Sequence, residues 1–358
     1  MNDKLTRCVT YVFTNVFIAE GGIVNLKLIA AGVLGLVTVG AYAQNLNGAG
    51  ATFPYPIYSK WFTEYKQQNP GVQINYQPIG SGGGIRQVTE GTVDFGAADV
   101  PMTGEQIAGA KVKVMALPTV LGAVVPVYNV PGVNKELNFS GDVIADIYLG
   151  KITNWNDARI MKDNPGVSLP NNAILPVYRS EGSGTTFIFT DYLSKVNSDF
   201  KSKVGAGAAV KWPTGIGQKG NEGVAGMVRQ SPNSFGYVEL IYAQQNKMSF
   251  GLVKNSSGKF MKASTDGVTA AAASTAKTMP ADYRVSITNA AGPDSYPISS
   301  FTWILIPTQS KDAAKTKALV GFMYWMLDHG QSEAASLSYA PLPKQVQDMV
   351  RKSVATIK

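Results

Sequence analysis

Leu117-Pro118-Thr119-Val120-Leu121-Gly122-Ala123-Val124-Val125-Pro126-Val127-Tyr128 is a long apolar run, rich in valine and interrupted by Pro126. Valine at this density predicts a strand. Its length predicts one that crosses between two parts of the molecule. A second apolar run of the same kind, Ser299 to Pro307 with Trp303, Ile304, Leu305 and Ile306 at its centre, lies far downstream. Two separated crossing strands predict two lobes joined by a hinge, and small ligands bind between such lobes. The expected division is 44–122 with 297–358 as lobe I and 123–296 as lobe II.

Outward from the first run, strands and helices alternate, which predicts an α/β fold. Gly48-Ala49-Gly50-Ala51-Thr52-Phe53 precedes a helix whose first turn holds Pro54 and Pro56, where a missing N–H costs little. Ile57, Trp61 and Tyr65 recur at helical spacing on one face. Val72 to Tyr76 alternates as a strand, and Ile79-Gly80-Ser81-Gly82-Gly83-Gly84 leads into a short helix with Ile85 and Val88 inward. Val93 to Asp99 reads as a strand ending in a carboxylate. Downstream of Tyr128, Ser140 to Leu149 reads as a helix capped by Ser140 and stopped by Gly150. Ile174 to Tyr178 and Phe235 to Val238 read as strands, and Gly220 to Gln230 as a helix. The C-terminal part reads as helices over Lys311 to His329, with Gly330 beyond, then Gln331 to Ser338 and Gln345 to Ile357. The Ala-, Ser- and Thr-rich stretch from Asn255 to Thr278 yields no functional reading.

The chain has 358 residues, 45% hydrophobic and 16% charged, enough to bury a large core. Its formal net charge of +8 favours anionic partners. The basic residues are scattered without a run or an aromatic-basic stripe, which argues against nucleic-acid binding. Asn25-Leu26-Lys27, the apolar Leu28 to Gly40 and Ala41-Tyr42-Ala43 have the layout of a secretory signal, predicting cleavage after Ala43. The apolar run is shorter than the roughly 20 residues of a membrane span. Residues 1–23 sit awkwardly before this signal, and translation is expected to start near Val24. The single cysteine, Cys8, falls in the leader, so the exported chain is expected to have no disulfide, thiolate or cysteine metal site. Position 44 is Gln, so the predicted cleavage point offers no cysteine for a lipid anchor, and the expectation is a soluble protein outside the cytoplasm.

Arg179-Ser180-Glu181-Gly182-Ser183-Gly184-Thr185-Thr186 runs directly into the apolar segment Phe187 to Val196. It reads as a helix start built to hold an anion. Gly182 and Gly184 allow close backbone approach, and the first helical N–H groups have no intrahelical partner. Ser183 and Thr185 add hydroxyl donors, and the planar guanidinium of Arg179 suits two-point contact with an oxyanion.

Other chemistries have weaker support. Gly215-Ile216-Gly217-Gln218-Lys219-Gly220 matches G-x-G-x-x-G, but Trp212-Pro213-Thr214 stands where a dinucleotide site requires a buried strand. The single histidine, His329, sits at a helix end beside Asp328, a place where imidazole faces C-terminal carbonyls. No G-x-S-x-G elbow accompanies it, which makes an exported phosphatase remote. Asp94, Asp99, Asp142 and Asp157 show no metal-loop spacing, so neither metal nor cofactor is expected.

Gly48 to Phe53, Ile79 to Gly84, Val93 to Asp99, Ile147-Tyr148-Leu149-Gly150-Lys151-Ile152-Thr153-Asn154-Trp155 and Arg179 to Thr185 together closely resemble the PstS-type periplasmic phosphate-binding proteins. Val210 to Pro213, Gly220-Asn221-Glu222-Gly223 and Gly236-Tyr237-Val238-Glu239 extend the resemblance, which runs in order from about Gly48 to the C-terminus. It implies a two-lobed type II binding-protein fold, in which a monomer closes over one phosphate outside the inner membrane. Delivery to the membrane permease subunits of an ABC importer, without enzymatic activity, is implied as well. By position, the resemblance implies that Thr52, Phe53, Ser81, Asp99, Arg179, Ser183, Gly184 and Thr185 bind phosphate, with Glu181 holding and partly neutralising Arg179.

Asp99 is the informative residue, because a carboxylate repels an anion unless the ligand carries a proton to share. Phosphate near neutral pH carries one and sulfate does not, so Asp99 disfavours sulfate. Sulfate, molybdate and arsenate are the alternative ligands, arsenate being the one the sequence does not separate from phosphate. Two positions depart from the family pattern: Glu181 replaces an Asp, and Ala98 stands where Ser is common.

Overall fold

In the computed structural model, which describes residues 44–309 and 312–357, the valine-rich run is one strand of 16 residues, Val114–Asn129. In chain order the strands are β1 (Gln44–Gly50), β2 (Val72–Gln77), β3 (Phe95–Ala98), β4 (Val114–Asn129), β5 (Asn138–Phe139), β6 (Leu175–Arg179), β7 (Ile216–Gln218), β8 (Ser234–Glu239), β9 (Ser249–Phe250), β10 (Leu252–Lys254), β11 (Phe260–Met261) and β12 (Ser299–Pro307). A nine-stranded sheet runs in the order β2-β1-β3-β12-β4-β8-β6-β7, with β9 pairing β4 off this path. A small sheet joins β11, β10 and β5.

The two crossing strands organise this sheet. β12 lies antiparallel to both β3 and β4, and β4 carries two sets of partners. Its first part, through Ala123, pairs with β12, and from Val124 onward it pairs with β8. Every residue of β4 from Leu117 to Tyr128 is buried, as expected for a strand covered on both faces. Parallel pairs flank the crossing strands on each side, β1 with β2 and β3 in one half and β6 with β7 and β8 in the other. Mixed α/β architecture with two lobes follows from this arrangement.

Helices start just past the ends of the parallel strands. α1 (Tyr55–Gln68) begins after Pro54 and buries Ile57, Trp61 and Tyr65. α2 (Ser81–Glu90) buries Ile85 and Val88. Beyond β4 come α3 (Gly141–Tyr148), α4 (Gly184–Val196), α5 (Gly220–Gln230), α6 (Ala313–Trp325) and α7 (Lys344–Val354). Gly80, at φ 93, occupies backbone space open mainly to glycine, and a Cβ there would stand 2.9 Å from Gly182 O.

Two local readings change. Ser140 precedes α3 at the N-cap position, but its side chain makes no capping bond; its N–H donates instead to Asp163 Oδ2 at 2.7 Å. Gly330 does not end the helix that follows β12. It lies in a π turn, Met326–Gly330, that continues into Gln331–Glu333. Trp61 explains the glycine: its indole N–H donates to Gly330 O at 3.0 Å, and a Cβ on residue 330 would meet the ring at 3.0 Å. The unreadable stretch contains a helix, Thr265–Ala276, capped by the Ser264 hydroxyl. The segment expected to be a secretory leader, with Cys8 in it, and Lys311 lie outside the described residues.

Candidate functional site

β1 and β3 run parallel in one half of the sheet and β6 lies in the other, and the turns that follow their C-terminal ends are joined by hydrogen bonds. This is where open parallel sheets bind ligands. β1 leads to Thr52 and Phe53, the turn after β2 to Ser81, β3 to Asp99, β6 to Arg179 and the glycine turn, and β7 to Gly220 and Asn221.

Thr52 and Phe53 are buried ahead of α1. Their carbonyls are turned away from the cleft by tyrosines, since Tyr242 Oη donates to Thr52 O and Tyr339 Oη to Phe53 O, each at 2.6 Å. The Phe53 ring packs edge-on against Tyr339. Ser81 opens α2 and is fully buried; its Oγ accepts the N–H groups of Asp99 and Gly184, both at 3.1 Å. The second of these bonds joins turns from the two lobes. Gly82 N–H adds another across the same gap, donating to Gly182 O at 2.9 Å.

Asp99 is buried and takes a hydrogen bond from Thr302 Oγ1 at 2.7 Å on Oδ1 and a longer one from Ser81 Oγ at 3.3 Å on Oδ2. Burial pushes its pKa from 3.8 up to about 7, against the opposing pull of Thr302, the Arg179 charge and Ser81. The group therefore exchanges a proton near neutral pH. Gly184 leans on it closely: a Cβ there would lie 2.5 Å from Asp99 Oδ2 and 2.6 Å from Ser81 Oγ.

Arg179 presents a side chain only 1% exposed. Its Nε donates to Glu181 Oε1 at 3.0 Å, Nη2 pairs with the same oxygen, and Nη1 donates to Thr185 Oγ1 at 3.1 Å. Glu181 Oε1 also accepts Gly220 N–H at 3.1 Å, while Oε2 is buried with no partner. All three donors thus gather on one carboxylate oxygen. Ser183 caps α4 by accepting Thr186 N–H at 3.1 Å.

Asn221, Glu239 and Thr302 belong to this cluster and were not singled out from sequence. Asn221 Nδ2 donates to Thr52 Oγ1 at 2.8 Å and to Thr185 Oγ1 at 3.2 Å, while its Oδ1 accepts Glu239 N–H at 3.0 Å. Glu239 is fully buried, with Oε2 accepting Ile241 N–H at 2.8 Å and Oε1 unpartnered. Burial holds its carboxyl well above the ordinary range, against the pull of the Ile241 and Leu240 N–H groups. The available signals were the glycine-started helix at Gly220 and the polar Thr302 inside an apolar strand.

The remaining candidates lie elsewhere. His329 is exposed beside Trp325. Asp94 pairs with Lys315, Asp142 accepts from Asn197, and Asp157 caps a helix and pairs with Arg159. No cluster of three or more metal-ligating side chains occurs among the described residues. In the G-x-G-x-x-G stretch, the strand Ile216–Gln218 lies inside the motif, and its last glycine donates to Glu181.

Fold and cleft together are those of the PBP-like binding proteins, and residues 37–329 match the model of the PBP superfamily domain. The phosphate-binding protein PstS of Xylella fastidiosa is 46% identical over 83% of this chain and 81% of its own length. PstS of Pasteurella multocida is 45% identical over 85% of this chain and 88% of its own length. PstS of Methanocaldococcus jannaschii is 37% identical over 86% of this chain and 85% of its own length. The chain belongs to the PBP superfamily and, within it, to the PstS phosphate-binding proteins. Among solved structures, a high-affinity periplasmic phosphate-binding protein bound with phosphate shares the fold at a TM-score of 0.69 and 20% identity, over 87% of this chain and 94% of that one.

Proposed function

We propose that this chain captures inorganic phosphate between its lobes outside the inner membrane and delivers it, as a monomer, to the permease of an ABC importer. The observation that carries this reading is the meeting of three N–H-rich turns, a buried Arg179 and a buried Asp99 at the C-terminal ends of parallel strands. Thr52, Phe53, Ser81, Ser183, Gly184 and Thr185 supply N–H and hydroxyl donors to the phosphate oxygens, the Gly184 N–H exchanging Ser81 Oγ for the ligand, and Arg179 supplies positive charge. Asp99 accepts the proton that the ligand carries. Glu181 holds the guanidinium in place and offsets part of its charge. The PstS relatives support phosphate as the ligand and transport, not catalysis, as the role. We take 44–122 with 297–358 as lobe I and 123–296 as lobe II, with the hinge where β4 changes partner after Ala123. The export signal falls within residues 24–43, with translation starting near Val24.

Sulfate and molybdate are disfavoured above about pH 7, where Asp99 is ionised and its carboxylate would face an oxygen without a hydrogen between them, a desolvated like-charge contact. Isothermal titration calorimetry of the purified protein with phosphate, arsenate and sulfate tests the assignment. Tight one-to-one binding of phosphate and arsenate with weak or absent sulfate binding is expected. Sulfate displacing phosphate at equal concentration would overturn it.

A further inference from the structure

We propose that Asn221 sets the direction of two hydroxyl protons, those of Thr52 and Thr185, and so makes both groups donors toward the ligand; this rests on the phosphate reading above. The orientation of the Asn221 amide is fixed by its neighbour. Glu239 N–H donates to one end of the Asn221 side chain at 3.0 Å, and a backbone N–H can only donate. That end is therefore the oxygen, and the end facing the threonines is the NH2 group.

The two amide protons then have separate destinations, Thr52 Oγ1 at 2.8 Å and Thr185 Oγ1 at 3.2 Å. Each hydroxyl also receives a second pure donor. For Thr52 it is the Asn221 backbone N–H at 3.3 Å, and for Thr185 it is Arg179 Nη1 at 3.1 Å. A hydroxyl has two lone pairs and one proton. With both lone pairs occupied, the proton of each threonine has no direction left but away from its donors, into the cleft. All three residues are buried, so water does not compete for these positions. Ser81 shows the same saturation by two N–H groups, except that its proton already has Asp99 as an acceptor at 3.3 Å.

Two properties follow. The cleft offers Thr52 and Thr185 as donors only, which suits oxygens rich in lone pairs and rejects hydroxyl groups that need an acceptor. Thr52 also belongs to the turn after β1, whereas Asn221 lies in the first turn of α5 in the other half of the sheet. Separation of the lobes would break the Thr52 bonds, so the donor orientation at Thr52 is completed only on closure. Asn221 acts here as a positioning residue.

Calorimetry with inorganic phosphate on Asn221→Ala provides the test. A hydrogen bond to a charged group is worth roughly 10- to 100-fold in affinity, and a loss in that range is expected. In a Thr52→Val, Thr185→Val background, Asn221→Ala should cause no further loss, because no hydroxyl remains to orient. Penalties that multiply would show a merely structural role and overturn the proposal. Equal phosphate affinity of wild type and Asn221→Ala would do the same while leaving the phosphate reading intact. A wild-type protein that takes up no phosphate would defeat both. Should Asn221→Ala not fold, neutron diffraction from deuterated crystals of the wild-type phosphate complex decides. Deuterons on Thr52 and Thr185 aimed at phosphate oxygens are expected, and deuterons aimed at the Asn221 side chain would overturn the proposal.

Discussion

Asp99 keeps its carboxyl buried between Thr302 and Ser81, with a pKa near 7 against an ordinary 3.8. Between those values the folded state holds a proton that the unfolded chain has released, so stability falls as pH rises from about 4 to 7. Above that window the folded protein carries the cost of a buried carboxylate. Asp99→Asn removes this cost, and the ligand-free variant should be more stable than wild type at pH 8, by on the order of a few kcal/mol, with little difference at pH 4. Thermal melts at several pH values check it; a stability gap that does not grow with pH would contradict the burial argument. Glu239, shifted in the same direction, retains its own slope in the variant. Sulfate affinity relative to phosphate should rise about tenfold or more in Asp99→Asn once the like-charge contact is gone. Glu181→Ala addresses a different residue-level balance. Removing the carboxylate leaves Arg179 buried with Thr185 as its remaining partner, and a loss of about 3 kcal/mol in urea unfolding is expected. A loss below about 1 kcal/mol would mean that the guanidinium does not depend on the pair.

At the scale of elements, α2 and α5 carry glycines with opposite consequences. In α2, a Cβ on Gly84 would stand 2.5 Å from Gly50 Cα and 2.7 Å from both Ala49 O and Ala97 O. These are backbone atoms of the β1 and β3 region and cannot swing aside. Gly84→Ala should cost about 1–3 kcal/mol by forcing α2 away from the sheet. In α5, a Cβ on Gly226 would meet nothing within 4 Å. Gly226→Ala should therefore stabilise the protein by about 0.4–1 kcal/mol, through a better helix former and a less flexible unfolded chain. Differential scanning fluorimetry of the two variants gives the answer by the sign of the change; equal shifts would contradict the packing described for α2. The C-terminal helices teach a related point, since Gly330 read locally as a stop and serves instead as a flat landing for Trp61 from α1.

For the whole molecule, the contacts of Gly82 with Gly182, Ser81 with Gly184 and Thr52 with Asn221 join turns from the two halves of the sheet, the contacts that closure of the proposed lobes would make. None of these three contacts is made by a residue of the two crossing strands. Hinge bending along β4 and β12 can release them without breaking the sheet. Small-angle X-ray scattering should show a larger radius of gyration for the ligand-free protein and a decrease on adding phosphate. An unchanged radius at saturating phosphate would rule out hinge closure as the response to ligand.

The elements were legible in the sequence because their signals are local. Ser299–Pro307 and Gly220–Gln230 have the limits that an apolar run and a glycine-started pattern predict, and the anion-holding character of the turn from Arg179 to Thr186 follows from its own glycines, hydroxyls and guanidinium. Their arrangement in a single cleft was inferred from family resemblance rather than from any local pattern. Tertiary structure alone decided the partners. Asn221 meets Thr52 across 169 positions and Thr302 meets Asp99 across 203, and nothing near either residue in the chain specifies the other. Hydrogen-bond partners of buried groups depend on which elements the fold brings together. The proton on Asp99 and the direction of the threonine hydroxyls are consequently properties of the folded cleft.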